Sequence, residues 1–190
     1  MWLSTVKETS GTDFVVDWQP FSLSQANSKE GPDWKVWDQP DVHQTRSLAA
    51  AMAGEAARRQ GAEAHGRFHL ALLKARHGGD SRVALNEDAP LLDVAREAGL
   101  DLARFKADSR DRSLLDVIAS DHTEAVEEHG VFGTPTFVFE NGNALYLKTF
   151  VPPADESMDF FDHFVAIMAD SPFVGELKRP QPPWPKGAVS

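Results

Sequence analysis

Gly130-Val131-Phe132-Gly133-Thr134-Pro135-Thr136-Phe137-Val138-Phe139-Glu140-Asn141-Gly142 is the stretch from which the rest of the chain can be ordered. A helical pattern runs up to Gly130 and stops. Pro135 stands at the entrance of a β-branched and aromatic run, Thr136 to Phe139, where a residue without an amide hydrogen costs no ladder bond. Asn141-Gly142 is a turn dipeptide. Ala144-Leu145-Tyr146-Leu147-Lys148-Thr149-Phe150 reads as the strand that returns from it. Thr134–Pro135 is expected to be trans by default, with cis the alternative, because only about one X-Pro bond in twenty is cis in folded proteins.

Upstream of this hairpin, Val42 to Gly130 carries helical spacing throughout. His43 to Gln60 places Leu48, Met52 and Ala56 on one stripe, and Gly61 breaks it. Ala62 to His77 does the same with Phe68, Leu72 and Ala75, and Gly78-Gly79 ends it. Asn86 or Asp88 is expected to cap the next helix, with Pro90 in its first turn, Leu91, Val94, Ala95 and Ala98 inward, and Gly99 just past its end. Asp101 caps a short helix through Phe105. Asp111 to His129 is a long one, with Leu114, Ile118 and Ala125 along one side and Leu115, His122 and Val126 beside them. Further upstream, Ser24 to Gln39 reads as a loop carrying Trp34 and Trp37. Asp13 to Leu23 reads as a strand with Phe14, Val16 and Trp18 on one face and Val15 on the other, the two-sided pattern of an internal strand. Met1 to Glu8 is the end of a helix that Gly11 stops. Downstream of the hairpin, Asp155 is expected to cap a last helix with Met158, Phe161, Phe164, Val165 and Met168 as its stripe. Pro180, Pro182, Pro183 and Pro185 then make a tail that Trp184 would pin.

Composition removes several classes of function. The net charge of −10 and the pI of about 5.1 do not offer the basic surface that nucleic acid needs. No segment approaches the ~18 consecutive apolar residues of a membrane span, and Met1 to Ser10 has neither the basic nor the apolar region of a secretory signal. A cytoplasmic location is the expectation. There is no cysteine at all, so the chain has no disulfide, no thiolate nucleophile and no zinc–thiolate site.

Gly-x-x-Gly-Thr-Pro-Thr before a strand, then Asn-Gly and a second strand, resembles the cis-proline loop of the DsbA family of thioredoxin-fold proteins. The order of elements resembles that family over essentially the whole chain, from the middle of the family's first helix onward. Trp18-Gln19-Pro20-Phe21-Ser22-Leu23-Ser24-Gln25-Ala26-Asn27 and Phe173-Val174-Gly175-Glu176-Leu177-Lys178-Arg179-Pro180 further resemble its actinobacterial branch of FrnE-like proteins and mycothiol-dependent nitroreductases.

The resemblance implies an α/β, thioredoxin-like fold of DsbA type with an inserted all-helical domain. Residues 1–41 and 130–190 would form the thioredoxin-like part and 42–129 the insertion. It implies a thiol–disulfide oxidoreductase, or one dependent on a low-molecular-weight thiol such as mycothiol or glutathione. Partners would be that small-molecule thiol or an extended peptide or protein, and a homodimer is among the assemblies it allows. The family's first strand and Cys-x-x-Cys motif would precede the position of Met1. A misassigned start, a degenerate homologue, or a strand supplied by another chain would each account for that. As written, the chain is expected to be inactive. The alternatives are a non-catalytic binding module and a thiol-cofactor-dependent isomerase or transferase of the kappa-class type.

No catalytic residue is therefore assigned. Thr134 and Pro135 are the substrate-binding residues by resemblance. Phe132, Trp34 and Trp37 are groove-lining candidates, although two tryptophans in a loop more often cover the edge of a core. His77, at a helix C-terminus, is a candidate to line the cleft. His65 and His69, one helical turn apart, lack an evident third ligand and read as a solvated pair on an exposed face; no metal is expected. Ser4 lies inside a helix, so the serine role of the kappa-class enzymes is not carried over to it. Asp121 and Glu124, beside His122, read as a charged helix face.

Overall fold

The computed structural model describes residues 1–11, 14–79, 82–171 and 173–176. The proline-rich tail, with Trp184, and the last four residues of the Phe173–Pro180 segment lie outside them. The chain divides into two compact units, Met1–Trp18 with His129–Ser190, and Gln19–Glu128.

The first unit is built from two helices and a hairpin. Helix α1, Trp2–Ser10, ends where Gly11 takes φ 63, a left-handed conformation that glycine adopts without a Cβ penalty. Strands β1, Thr136–Val138, and β2, Ala144–Tyr146, pair antiparallel with Thr136 opposite Tyr146 and Phe137 opposite Leu145. They are shorter than the runs expected at 136–139 and 144–150. Their connection is the five residues 139–143, with Gly142 at φ 83. Within it, the Gly142 amide donates to Phe139 O at 2.8 Å and the Phe139 amide to Asn143 O at 2.9 Å. The Asn141 and Asn143 side chains both donate to Ala169 O, at 2.6 Å each, and so tie the turn to the end of the last helix.

That helix, α8 (Ser157–Met168), holds the unit's core. One face of the hairpin presents Phe137, Phe139, Leu145 and Leu147 to it, as period-two alternation requires. Phe137 and Phe139 lie 4.9 Å and 5.8 Å from the Phe164 ring. From α1, Trp2 packs edge-on against Phe164 at 5.7 Å and donates its indole N–H to Ser157 O at 3.2 Å. Asp155, the expected cap of α8, falls instead in a 3₁₀ turn, Ala154–Glu156, and Glu156 caps without a side-chain bond.

Of the strand expected at 13–23, the described residues 14–23 form none. Phe14, Val16 and Trp18 are half-buried, and Phe14 stacks on Phe161 at 5.0 Å. Val15, however, is 92% exposed, so the segment is not apolar-packed on both faces. The alternation reports which side chains meet a core. A strand also needs a second backbone in register, and among the described residues only β1 and β2 make a ladder. Residues 23–26 coil into a short helix, α2 (Leu23–Ala26), whose amide at Gln25 bonds the Ser22 Oγ at 3.2 Å.

The second unit is helical. Helices α3 (Arg46–Arg58), α4 (Ala62–His77), α5 (Asp88–Glu97), α6 (Leu102–Asp108) and α7 (Leu114–Glu127) surround Leu48, Met52, Phe68, Phe105 and Ile118. Helix α4 has the bounds its flanking glycines predict. Asp101 caps α6 by accepting from the Arg104 amide at 3.0 Å. Helix α3 starts three residues late because Val42–Gln44 forms a 3₁₀ turn. Helix α5 is capped by Glu87, not by Asn86 or Asp88. Helix α7 also starts three residues late, since Asp111 accepts from the Ser113 amide at 2.9 Å and holds a turn there. Arg59 at the end of α3 ties this turn to α6, reaching Asp111 at 2.8 Å and Asp108 at 3.3 Å.

Residues 19–41, grouped with the thioredoxin-like part on sequence, pack in this second unit. Val36 and Val42 are buried in its core, and Trp34 and Trp37 lie against it. The fold carries a direct expectation for stability. Phe68 is fully buried and 5.3 Å from the Phe105 ring. Phe68→Ala leaves a cavity between α4 and α6 and should cost about 3–5 kcal/mol, read as a drop in the urea midpoint at constant slope.

Candidate functional site

The loop that opens the hairpin is set by alternating burial. Val131 and Gly133 point inward, whereas Phe132, Thr134 and Pro135 are exposed. The Thr134–Pro135 peptide is cis. The Thr136 hydroxyl donates back to Gly133 O at 2.7 Å, and the Leu147 amide donates to Pro135 O at 3.1 Å. Both bonds come from the strands, so the hairpin presents the loop in a defined conformation.

Phe132 is 71% exposed, unusual for a large apolar side chain. Its ring stands 5.1 Å from that of Tyr146, which the β1–β2 register places beside the loop. Gly133 makes this possible. A Cβ there would come within 3.3 Å of Tyr146 Cε2, a tighter contact than is ordinary. Phe132 and Tyr146 thus form a solvent-facing aromatic pair next to Thr134 and Pro135. Tyr146 was not picked out from the sequence. The signal was present, because a hairpin closing on Gly142 puts Tyr146 opposite Thr136, but it needs the loop length before it can be read.

Trp34, Trp37 and His77 lie in the other unit. Both tryptophans cover its core, as tryptophans in a loop more often do. Gln25 anchors their segment, accepting from the Val36 amide at 2.8 Å and donating to Trp34 O at 3.2 Å. Trp37 also lines an open depression of about 450 Å³ with Asp38, Arg112, Ser113, Leu115 and Asp116. Trp34 and His77 are not among its lining residues. His77 is exposed at the end of α4, where the Gly78 amide donates to Lys74 O at 2.7 Å.

Two histidines differ from their sequence reading. His65 is buried and His69 partly so, their rings 5.9 Å apart, and neither lies on a solvated face. Helix α4 turns this side towards the unit's interior, which composition does not reveal because His suits either side. Burial, reinforced by the neighbouring His65, holds the His69 imidazole down at about pKa 4. His122 is likewise buried, although Glu124 on the same helix is exposed. Its Nδ1 accepts from the Ser22 amide at 3.3 Å, and the rings of Phe21 and Trp37 lie 4.5 Å and 5.4 Å away. Burial, and then the charge of Lys35, lowers its pKa below the usual histidine value. Ser4 lies within α1, as expected.

A model of the DSBA-like thioredoxin domain matches residues 3–166. The chain therefore belongs to the DSBA-like thioredoxin domain family. No curated protein matches the sequence closely enough to count as a relative. Among the described residues no helix is long and apolar enough to cross a membrane.

The His69 shift has a consequence with a definite sign. The folded-state value, about 4, lies below the unfolded 6.5, so the unfolded chain binds more protons between them. The contribution of His69 is complete above about pH 6.5 and is lost as pH falls towards about 4. His69→Gln should lose less stability than the wild type between about pH 7 and about pH 4.5, measured as urea midpoints.

Proposed function

We propose that the chain docks a small-molecule thiol or an extended peptide against Phe132, Thr134, Pro135 and Tyr146, and performs no thiol–disulfide exchange of its own. The observation that carries this reading is the exposed, strand-anchored loop with its aromatic pair, in a sequence without cysteine. Exchange requires attack by a thiolate on a disulfide sulfur, and no side chain here can supply one. Positioning needs only what the loop offers, apolar surface and backbone groups beside an exposed proline. The reacting sulfur would come from outside the chain, for example from mycothiol or glutathione. We read the helical unit as the family's inserted domain, segments 18–27 and 173–180 as similar to the FrnE-like and nitroreductase branch, and the cytoplasm as the setting. Trp37 and its depression are a secondary contact surface in this reading, and Trp34 and His77 serve structure.

The test has two arms. With dithiothreitol present, the chain should reduce insulin no faster than buffer does, and a rate above that control would sink the non-catalytic half. In titration calorimetry, glutathione, mycothiol or an extended peptide should bind. Phe132→Ala and Tyr146→Ala should each weaken that binding about tenfold, or about 1.4 kcal/mol. Unchanged affinity in both variants removes the loop from the binding site.

A further inference from the structure

The buried His122 is used by nothing in the proposed function, and its surroundings are specific. Because Nδ1 accepts a hydrogen bond from the Ser22 amide, the ring is neutral and carries its proton on Nε2. A second proton could enter only at Nδ1. It would set an N–H donor against the Ser22 N–H donor and exchange attraction for repulsion inside a buried site.

Ser22 stands at the head of a chain of contacts. It is the N-cap of α2, with its Oγ accepting from the Gln25 amide at 3.2 Å and lying 3.1 Å from Ser47 Oγ on α3. Gln25 in turn holds the backbone at Trp34 and Val36. Next along the chain is Trp37, which meets the His122 ring directly at 5.4 Å and borders the depression with Arg112 and Asp116. The Ser22 amide and the Trp37 ring, near the two ends of segment 21–37, thus both meet one imidazole of α7, while the Arg112 guanidinium donates separately to Trp37 O at 3.3 Å.

We infer that His122 is a proton-sensitive latch: while neutral it holds residues 21–37 on α7, and on protonation it releases them and reshapes the depression beside Trp37. The charged groups on the elements packed around it are Lys29, Glu30, Asp33 and Lys35 on the segment, Arg46, Glu55 and Arg58 on α3, and Asp116, Asp121, Glu124 and Glu127 on α7. Lys35 is the one whose charge bears on the ring, and it opposes protonation, as burial does. The latch is therefore closed at neutral pH and opens below the usual histidine range. The device does not depend on what the hairpin loop binds.

Hydrogen exchange by mass spectrometry, corrected for intrinsic rates, tests this on the full chain. Between about pH 7 and about pH 5, protection of the peptides spanning 21–37 should fall at least roughly tenfold while that of α4 holds. His122→Asn keeps an acceptor oxygen for the Ser22 amide and cannot titrate, so its 21–37 protection should stay constant over the same range. Equal loss in the variant, no loss in the wild type, or parallel loss in α4 overturns the latch. An NMR titration of the wild-type His122 ring is a second check that needs no variant. A midpoint below 6.5 that coincides with a shift of the Ser22 amide supports the latch, and a midpoint at or above 6.5, or an unmoved amide, overturns it.

Discussion

The contact of the hairpin's inner face with α8 is what the first unit depends on. An isolated two-stranded hairpin is marginal in water, and β1 and β2 contribute only three residues each. Their persistence rests on Phe137 and Phe139 meeting Phe164, and on the two asparagine amides that tie the turn to Ala169. Trp2 closes the same cluster from α1 with both a ring contact and a hydrogen bond. The loop at 131–135 is as well placed as this packing makes it, because both of its fixing bonds come from the strands.

The chemistry follows from what that loop has and lacks. A DsbA-type site joins a nucleophilic thiolate to a surface that orients the partner. In the proposed function Phe132 and Tyr146, paired in solvent beside Thr134 and Pro135, supply that surface, and a sequence without cysteine supplies no thiolate. Positioning and reaction are separable contributions in catalysis. The second unit adds a different kind of element, a buried base whose protonation state is coupled to the attachment of a loop. Its helical core, centred on Phe68 and Phe105, gives that loop a fixed frame to be held against.

Much of the local structure was legible because its causes are local. Gly61 and Gly78-Gly79 bracket α4 at the observed residues, Asp101 caps α6, and Gly11 ends α1. The late starts of α3 and α7 were missed because short turns at Val42–Gln44 and 111–113 take up residues whose apolar spacing is also compatible with helix. The strand expected at 13–23 failed for a different reason. Phe14, Val16 and Trp18 do alternate inward, but pairing is a property of two segments and alternation of only one. Of the site, Thr134, Pro135 and Phe132 were visible as a motif. Tyr146 required the hairpin register. The burial of His65 and His69 required the helix packing, since a histidine on a helix gives no sign of which side it will face, and for His122 the packing decided its hydrogen-bond partner.

By itself the sequence determined that these 190 residues include no cysteine, that a proline-led hairpin follows a long helical block, and where most helices stop. Those conclusions rest on composition and on backbone preferences of single residues. Only the tertiary structure decided that residues 19–41 belong with the helical unit, that Phe132 and Tyr146 pair in solvent, and that His122 is buried as a hydrogen-bond acceptor. These depend on which apolar faces find each other, and burial then lowers the pKa of His69 and His122 through the water it excludes.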